Sequence, residues 1–199
     1  MKLHYSKISP FVRKVRVVAL EKGIELELVE TNPHNSPAGL LANNPLSKVP
    51  VLELDNGEAI FDSPVICEFI DALDEAKPMI PREGAGRFKV LTVAALADGM
   101  MDAAVSAVME RRRPEDKRYE AHIDRQLAAI RRGFDALEEE VEFLAGGLNL
   151  ASIAVGVAIG YIDFRLPELG WAPSHPKLSK WYEGFARRSA MAETAPREG

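Results

Sequence analysis

The sequence predicts an α/β N-terminal domain followed by an all-α, helical-bundle C-terminal domain. Three observations predict it. Residues 1–77 read as β-α-β and then β-β-α from their apolar spacing. A Pro/Gly-rich stretch at residues 78–86 interrupts that pattern and reads as a linker. In residues 87–199 no strand pattern appears, and one long stripe has helical period.

Met1 to Tyr5 is short and mixed, as a first strand would be. Ser9 is placed as the N-cap of the next helix and Pro10 as its first residue. Val12, Val15, Val18 and Ala19 then recur at helical spacing up to Gly23, a C-terminal stop. Leu26, Leu28 and Val29 alternate with charge as a second strand. Asn32 to Ala42, with Pro33, Ser36, Pro37 and Gly39, is a loop or a broken helix.

Val51, Leu52 and Leu54 form a strand that begins at Pro50, a residue tolerated only at a strand start or edge. Asp55-Asn56-Gly57 is a hairpin turn, and Ala59, Ile60 and Phe61 return as a second strand. Only about 5–6% of X–Pro bonds are cis, so the pair Val49-Pro50 does not by itself specify that form. A cis bond there would turn the Val49 amide and carbonyl outward, free to pair with an extended peptide. Ser63, before Pro64, is a candidate N-cap of the helix that follows, and its free N–H groups could hold a carboxylate. Asp62 beside it could receive an amino group. For Asp-Ser-Pro alone, capping is the simpler reading.

Phe88 to Met109 is a long helix crowded with Ala and Gly. Arg111 to Lys117 is a charged break. The helix expected from Glu115 to Phe143 carries Ile123, Leu127, Ile130, Phe134, Leu137, Val141 and Leu144 at alternating steps of four and three. Gly146-Gly147 stops it. Asn149 is the expected cap of an almost wholly apolar central helix, Ile153 to Phe164, which Pro167 ends. Leu178, Trp181, Tyr182 and Phe185 make a final helix, with a frayed tail beyond Ala190.

The run NPLSKVPVLELDNGEAIFDSPVICEFI, with Ser-Pro-Phe-Val-Arg-Lys at residues 9–14, resembles the cytosolic glutathione S-transferase family, in particular its bacterial YibF-like group. The Ser-Pro-Phe motif is also similar to the plant tau class. The resemblance spans essentially the whole chain and implies a thioredoxin-like N-terminal domain. It implies a cis bond at Val49-Pro50 and glutathione as co-substrate. By resemblance Ser9 is the catalytic residue, donating a hydrogen bond to the glutathione sulfur. Ser9, Lys48, Val49, Pro50, Asp62 and Ser63 then bind glutathione. A small electrophile would sit against the long helix near Met101, Asp102 and Val105.

Ser6 and Tyr5 remain candidates for the sulfur contact. Lys48 is either a carboxylate partner or a solvated loop lysine. The tau-like lysine before an Asn-Pro is replaced here by Ala42, and the familial Asp of the capping box by Ser152. Serine rather than cysteine at position 9 argues against thiol-disulfide exchange. Arg111 to Arg113 is either a solvated helix end or an anion contact.

Two other functions share these motifs. One is a glutathione-dependent isomerase similar to maleylacetoacetate isomerase. The other is a regulatory protein similar to stringent starvation protein A.

The 199 residues carry 47% apolar and 28% charged side chains, as an ordinary globular protein does. A net charge of −5 gives nucleic-acid binding no support. Cys67 alone excludes an internal disulfide, fits a reducing compartment and reads as packing. His4, His34, His122 and His175 lie apart without ligand spacing, so no metal is expected. No signal peptide is evident, and no apolar run is expected to reach the roughly 18–20 residues of a membrane span. The resemblance adds a homodimer, a cytoplasmic location and a role in detoxification.

Overall fold

The structure, a computed structural model, describes residues 1–197. Strands β1 (Lys2–Tyr5), β2 (Glu27–Glu30), β3 (Val51–Glu53) and β4 (Ala59–Ile60) form one sheet in the order β2-β1-β3-β4. β1 runs parallel to β2, with Leu3 opposite Leu28, and antiparallel to β3, with Leu3 opposite Leu52. Leu3 and Leu52 are fully buried because α1 (Pro10–Lys22) and α3 (Ser63–Ala72) pack together over the sheet. A parallel pair needs a crossover, and α1 supplies it between β1 and β2. Helix α1 starts as its residues predict: Ser9 caps it and Pro10 opens it. Gly23 ends it at φ 68°, the left-handed conformation in which glycine meets no steric cost. The interval 32–42 is the broken helix expected: one turn of 3-10 helix, then α2 (Ala38–Asn43).

Cys67 of α3 is fully buried, and that burial pushes its thiol up to about 12, so it is inert packing. The connection after α3 is anchored. The Asp71 carboxylate accepts from the amides of Met79 at 2.8 Å and Ile80 at 2.9 Å. Lys22, in the last turn of α1, pairs with Asp71 at 2.7 Å. It also donates to the carbonyls of Asp71, Asp74 and Lys77. A cation at a helix C-terminus is favoured by the exposed carbonyls there.

Helix α4 runs Gly84–Arg111, so residues 84–86, expected in the linker, are helical. It packs against α5 (Glu120–Glu139) and α7 (Leu150–Arg165). No membrane-length apolar run is expected from the sequence, yet α4 is long and apolar enough to cross a membrane by composition. Half of that apolar window, 50%, is instead buried within the fold. A Cβ on Gly133 of α5 would sit 2.5 Å from the Met100 sulfur, so glycine is what lets α4 and α5 approach there.

The expected helix 115–143 is broken at both ends. Glu110 accepts from the Tyr119 amide at 2.9 Å, which delays the start to Glu120. At Glu140 the chain turns, and α6 (Val141–Ala145) continues separately. The predicted stripe is nevertheless core: Ile123, Leu127, Ile130, Phe134, Leu137 and Leu144 are buried.

Asn149 caps α7 as expected. Its Oδ1 accepts from Ser152 N at 3.0 Å, and Ser152 Oγ accepts from Asn149 N at 3.0 Å, so the neutral pair completes a capping box. The tail differs from expectation. After α8 (Pro176–Phe185), a further helix α9 (Ser189–Glu193) buries Ala190 and Met191, and Thr194 is buried beyond it. Arg13 holds this segment through Met191 O at 3.1 Å and Thr194 Oγ1 at 3.4 Å. Five residues show too little period to announce a docked helix. The last two positions of the expected tail, 198–199, lie outside the described residues.

Phe134 stacks on Trp171 with centroids 4.6 Å apart, and His175 closes the cluster. His175 Nδ1 faces the Trp171 carbonyl at 2.8 Å and Nε2 faces Asp135 at 3.0 Å. A neutral imidazole has one N–H, so only the imidazolium donates to both. Burial lowers the His175 pKa, but the Trp171 carbonyl and the Asp135 carboxylate outweigh it, and the net shift is upward. A folded pKa above the unfolded one makes the contribution full below about pH 6.5 and lost as pH rises through the folded value. His175→Gln is therefore expected to cost roughly 1–2 kcal/mol at pH 5.5 and clearly less at pH 9, by parallel thermal melts at both pH values.

Candidate functional site

The site begins at the start of α1. Ser9 has extended backbone, φ −79° and ψ 120°, and its Oγ accepts from the Val12 amide at 3.3 Å. The hydroxyl hydrogen has no acceptor among the described residues. Ser9 thus presents a donor at the positive end of a helix, where an anion is favoured. Tyr5 sits within β1, and Ser6 accepts from the Ser9 amide through its carbonyl at 3.2 Å. Both are half-buried, as Ser9 is.

The bond Val49-Pro50 is cis. Among the described residues neither the Val49 amide nor its carbonyl has a partner, so this edge is open for an extended ligand. Asn44, which carries no role in the sequence expectations, builds the loop that carries Val49. It is buried, its Nδ2 donates to Lys48 O at 3.0 Å, and its Oδ1 accepts from Leu46 N at 3.0 Å. The Asn-Pro-Leu-Ser pattern is a turn signal that could have exposed this role. The Lys48 side chain is exposed, and its charge reaches Asp102 of α4.

At α3 the expectation shifts by one residue. Asp62, not Ser63, is the N-cap, because the Asp62 carbonyl accepts from Ile66 N at 2.9 Å. Ser63 is the first helical residue and nearly buried, while Asp62 is exposed and makes no side-chain cap bond. The Asp62 carboxylate is therefore uncommitted. The Phe61-Asp62 bond is also cis.

The three residues expected to line the electrophile cleft separate. Met101 is fully buried in the helical core and cannot wall an open cleft. Asp102 is exposed and Val105 half-buried, on the same helix. The Asp102 carboxyl is nonetheless partly shielded from water, which raises its pKa; Asp98 adds to the rise, and Lys48 and Lys14 oppose it.

Sequence reasoning missed the pair beneath these groups. Lys14, 1% exposed, meets Asp98, 18% exposed, through both carboxylate oxygens at 2.6 and 2.7 Å. Burial raises the Asp98 pKa, and Lys14 opposes that rise. Asp62 also raises both Asp98 and Asp102, so three carboxylates share one electrostatic neighbourhood with two lysines. Lys14 lies in the quoted Ser-Pro-Phe-Val-Arg-Lys run, but sequence offers no way to pair it with a residue 84 positions on. No group of His, Cys, Asp and Glu able to hold a metal occurs among the described residues.

The chain as a whole has known counterparts. Residues 3–78 match the glutathione S-transferase N-terminal domain, and residues 120–184 the glutathione S-transferase C-terminal domain. The chain belongs to the glutathione S-transferase family.

Within it, an uncharacterised GST-like protein of Escherichia coli (strain K12), YibF, is 41% identical over 98% of both chains. A glutathione transferase family member from Pseudomonas fluorescens Pf-5, solved with bound glutathione, is 40% identical, superposes with TM-score 0.94 and covers 99% of both chains. A glutathione S-transferase from Methylobacillus flagellatus, solved with glutathione bound, is 39% identical at TM-score 0.92, over 98% of this chain and 99% of that one.

In this glutathione S-transferase fold Lys14–Asp98 ties the helix bearing Ser9 to the helical half. Asp98→Ala would strand the nearly inaccessible Lys14 ammonium. Lys14→Met would strand the less buried carboxylate, which can take up a proton. Denaturant melts should show a loss of roughly 3 kcal/mol for Asp98→Ala and a smaller one for Lys14→Met.

Proposed function

We propose that the protein is a serine-type glutathione transferase that activates the glutathione thiol for attack on a small electrophile. The observation that carries this reading is Ser9, a hydroxyl with an uncommitted hydrogen at the N-terminus of α1. Glutathione binds along the α/β unit, residues 1–77. Its peptide pairs with the Val49 backbone ahead of Pro50. Its γ-glutamyl carboxylate meets Ser63 and the α3 amides, and its ammonium meets Asp62. Lys48 neutralises the glycine carboxylate. The glutathione found in the Pseudomonas and Methylobacillus structures supports that ligand.

A free thiol has a pKa near 8.5, and lowering it by two units takes about 2.7 kcal/mol of differential stabilisation. The Ser9 donor and the α1 amides supply part of that. The thiol proton leaves to solvent, the thiolate forms a bond to carbon or another electrophilic centre, and the leaving group departs with its electron pair. The electrophile lies against α4, in the unit of residues 87–199, beside Asp102 and Val105. We place the enzyme in the cytoplasm, in detoxification, where a lone buried thiol such as Cys67 stays reduced.

Ser9→Ala is expected to lower kcat roughly a hundredfold with 1-chloro-2,4-dinitrobenzene, the scale of losing one donor to a developing anion. The KM for glutathione should stay within about threefold. Undiminished turnover would move the activation to Ser6 or Tyr5.

The active form in this reading is a homodimer. Val65 on α3 is 51% exposed and Phe88 on α4 is 68% exposed, and they flank the Glu68–Arg87 ion pair that joins the two helices. Large apolar side chains left in water on the two helices that this ion pair joins support an interface there. Light scattering should give twice the chain mass for the parent and the chain mass for Phe88→Glu.

A further inference from the structure

One stripe of α4 carries opposite charges at its two ends. Asp98, Asp102, Val105, Met109 and Arg112 recur at alternating steps of four and three, so they share a face. Arg112, the C-cap, keeps helical dihedrals, φ −76° and ψ −13°, and so stays in line with the others. At the first end Asp98 meets Lys14, and Asp102 feels Lys48 and Asp62. At the other end Arg112 acts on Tyr161 of α7. Between them Val105 is half-buried and Met109 is 39% exposed, which leaves an apolar strip. From Asp102 to Arg112 the stripe is about 15 Å long.

Tyr161 connects the basic end to Ser9. Both line one narrow cavity at the start of α1, with Pro10 and Arg13. The cavity measures about 10 Å3, room for one water-sized group, so the body of an electrophile must lie outside it, along the stripe. Arg165 follows Tyr161 by four residues and lies on the same face of α7, its guanidinium 4.3 Å from the Phe164 ring centre. Burial raises the Tyr161 pKa, and Arg165 and Arg112 both oppose that rise.

These guanidiniums are not neutralised. Arg111 and Arg113 pair with Glu168 and Glu110, but Arg112 between them has no carboxylate partner among the described residues. Arg165 has none either, although it is half-buried. Arg13 is only 8% exposed, meets no carboxylate, and its Nη1 has no hydrogen-bond partner among the described residues. In a chain of net charge −5, three such guanidiniums around one tyrosine leave an unmet demand for an anion.

We propose that the electrophile carries a carboxylate, seated on Arg165, Arg112 and the Tyr161 hydroxyl, with its apolar body along Met109 and Val105 and its reactive carbon toward Ser9. The inference rests on the transferase reading above and names its substrate class. Asp102 enforces the direction, because a carboxylate at that end would meet like charge. The glutathione sulfur bonds to carbon, the leaving group departs with its electron pair, the thiol proton goes to solvent, and the carboxylate is unchanged.

The test compares 4-chloro-3,5-dinitrobenzoate with its neutral methyl ester on the full chain, each kcat/KM divided by the uncatalysed rate constant with glutathione. The acid should be preferred at least tenfold. Arg165→Gln should lower that preference about tenfold, and Arg112→Gln, on an exposed residue, should lower it without a change in melting temperature. Equal use of acid and ester by the parent would overturn the proposal, as would a preference that survives in the double variant. Turnover of neither compound would count against the transferase reading instead. The substrate class would then be read by calorimetry with the two S-aryl glutathione conjugates. Tighter binding of the carboxylate conjugate would uphold it, and equal or weaker binding would overturn it.

Discussion

The ion pair between Lys14 and Asp98 is the contact on which the geometry of the site depends. It joins α1, the helix that presents Ser9, to α4, the longest helix of the second half. An ammonium with 1% exposure cannot persist without a counter-charge at hydrogen-bond distance. The register of α1 against α4 is therefore dictated more sharply than apolar packing alone would dictate it. Leucine and alanine surfaces slide by a fraction of an ångström at little cost, while a bidentate carboxylate does not. A buried pair is a poor source of net stability and a strong source of specific placement when its partners are far apart in sequence.

Lys22 and Asp71 repeat the device at the other end of α1. The lysine gathers three carbonyls and the carboxylate takes two amides, so one ammonium and one carboxylate anchor the connection between the halves at five points. With Arg13 gripping the segment after α8, α1 contacts α3, the connection and the helical half through cationic side chains. That is why a 13-residue helix can act as the rigid mount for a hydroxyl donor.

The remaining parts of the site are irregular backbone. The open Val49 edge is set by Asn44, whose amide bridges Lys48 and Leu46 across the loop. Asp62 leaves the strand at β4 and caps α3 with its carbonyl rather than its carboxylate. The result is a carboxylate free for a ligand, close enough to Asp98 and Asp102 to raise their pKa values. Lys48 and Lys14 offset part of this shared negative field.

Local chemistry in the sequence was enough to place most elements and half of the site. Ser9 before Pro10, Gly23 after Lys22 and Asn149 before Ser152 each act within four residues, so their roles as caps are visible in the chain itself. The stripe from Ile123 to Leu137 likewise needs only helical period, and every member is buried. Val49-Pro50 and Asp62-Ser63 could be singled out because turn and cap residues have fixed offsets.

What only the tertiary structure decided are relations across distance. Met101 and Asp102 are neighbours on one helix, and the sequence cannot say that the first is buried in the core and the second exposed, since α4 is small and apolar nearly all round. The docking of α9 under Arg13, the burial of Lys14 and the partner it finds in Asp98 depend on chain segments 84 to 181 residues apart meeting in space. Periodicity reports which face of an element is apolar. It does not report what that face meets, and the charged contacts that orient this site are made there.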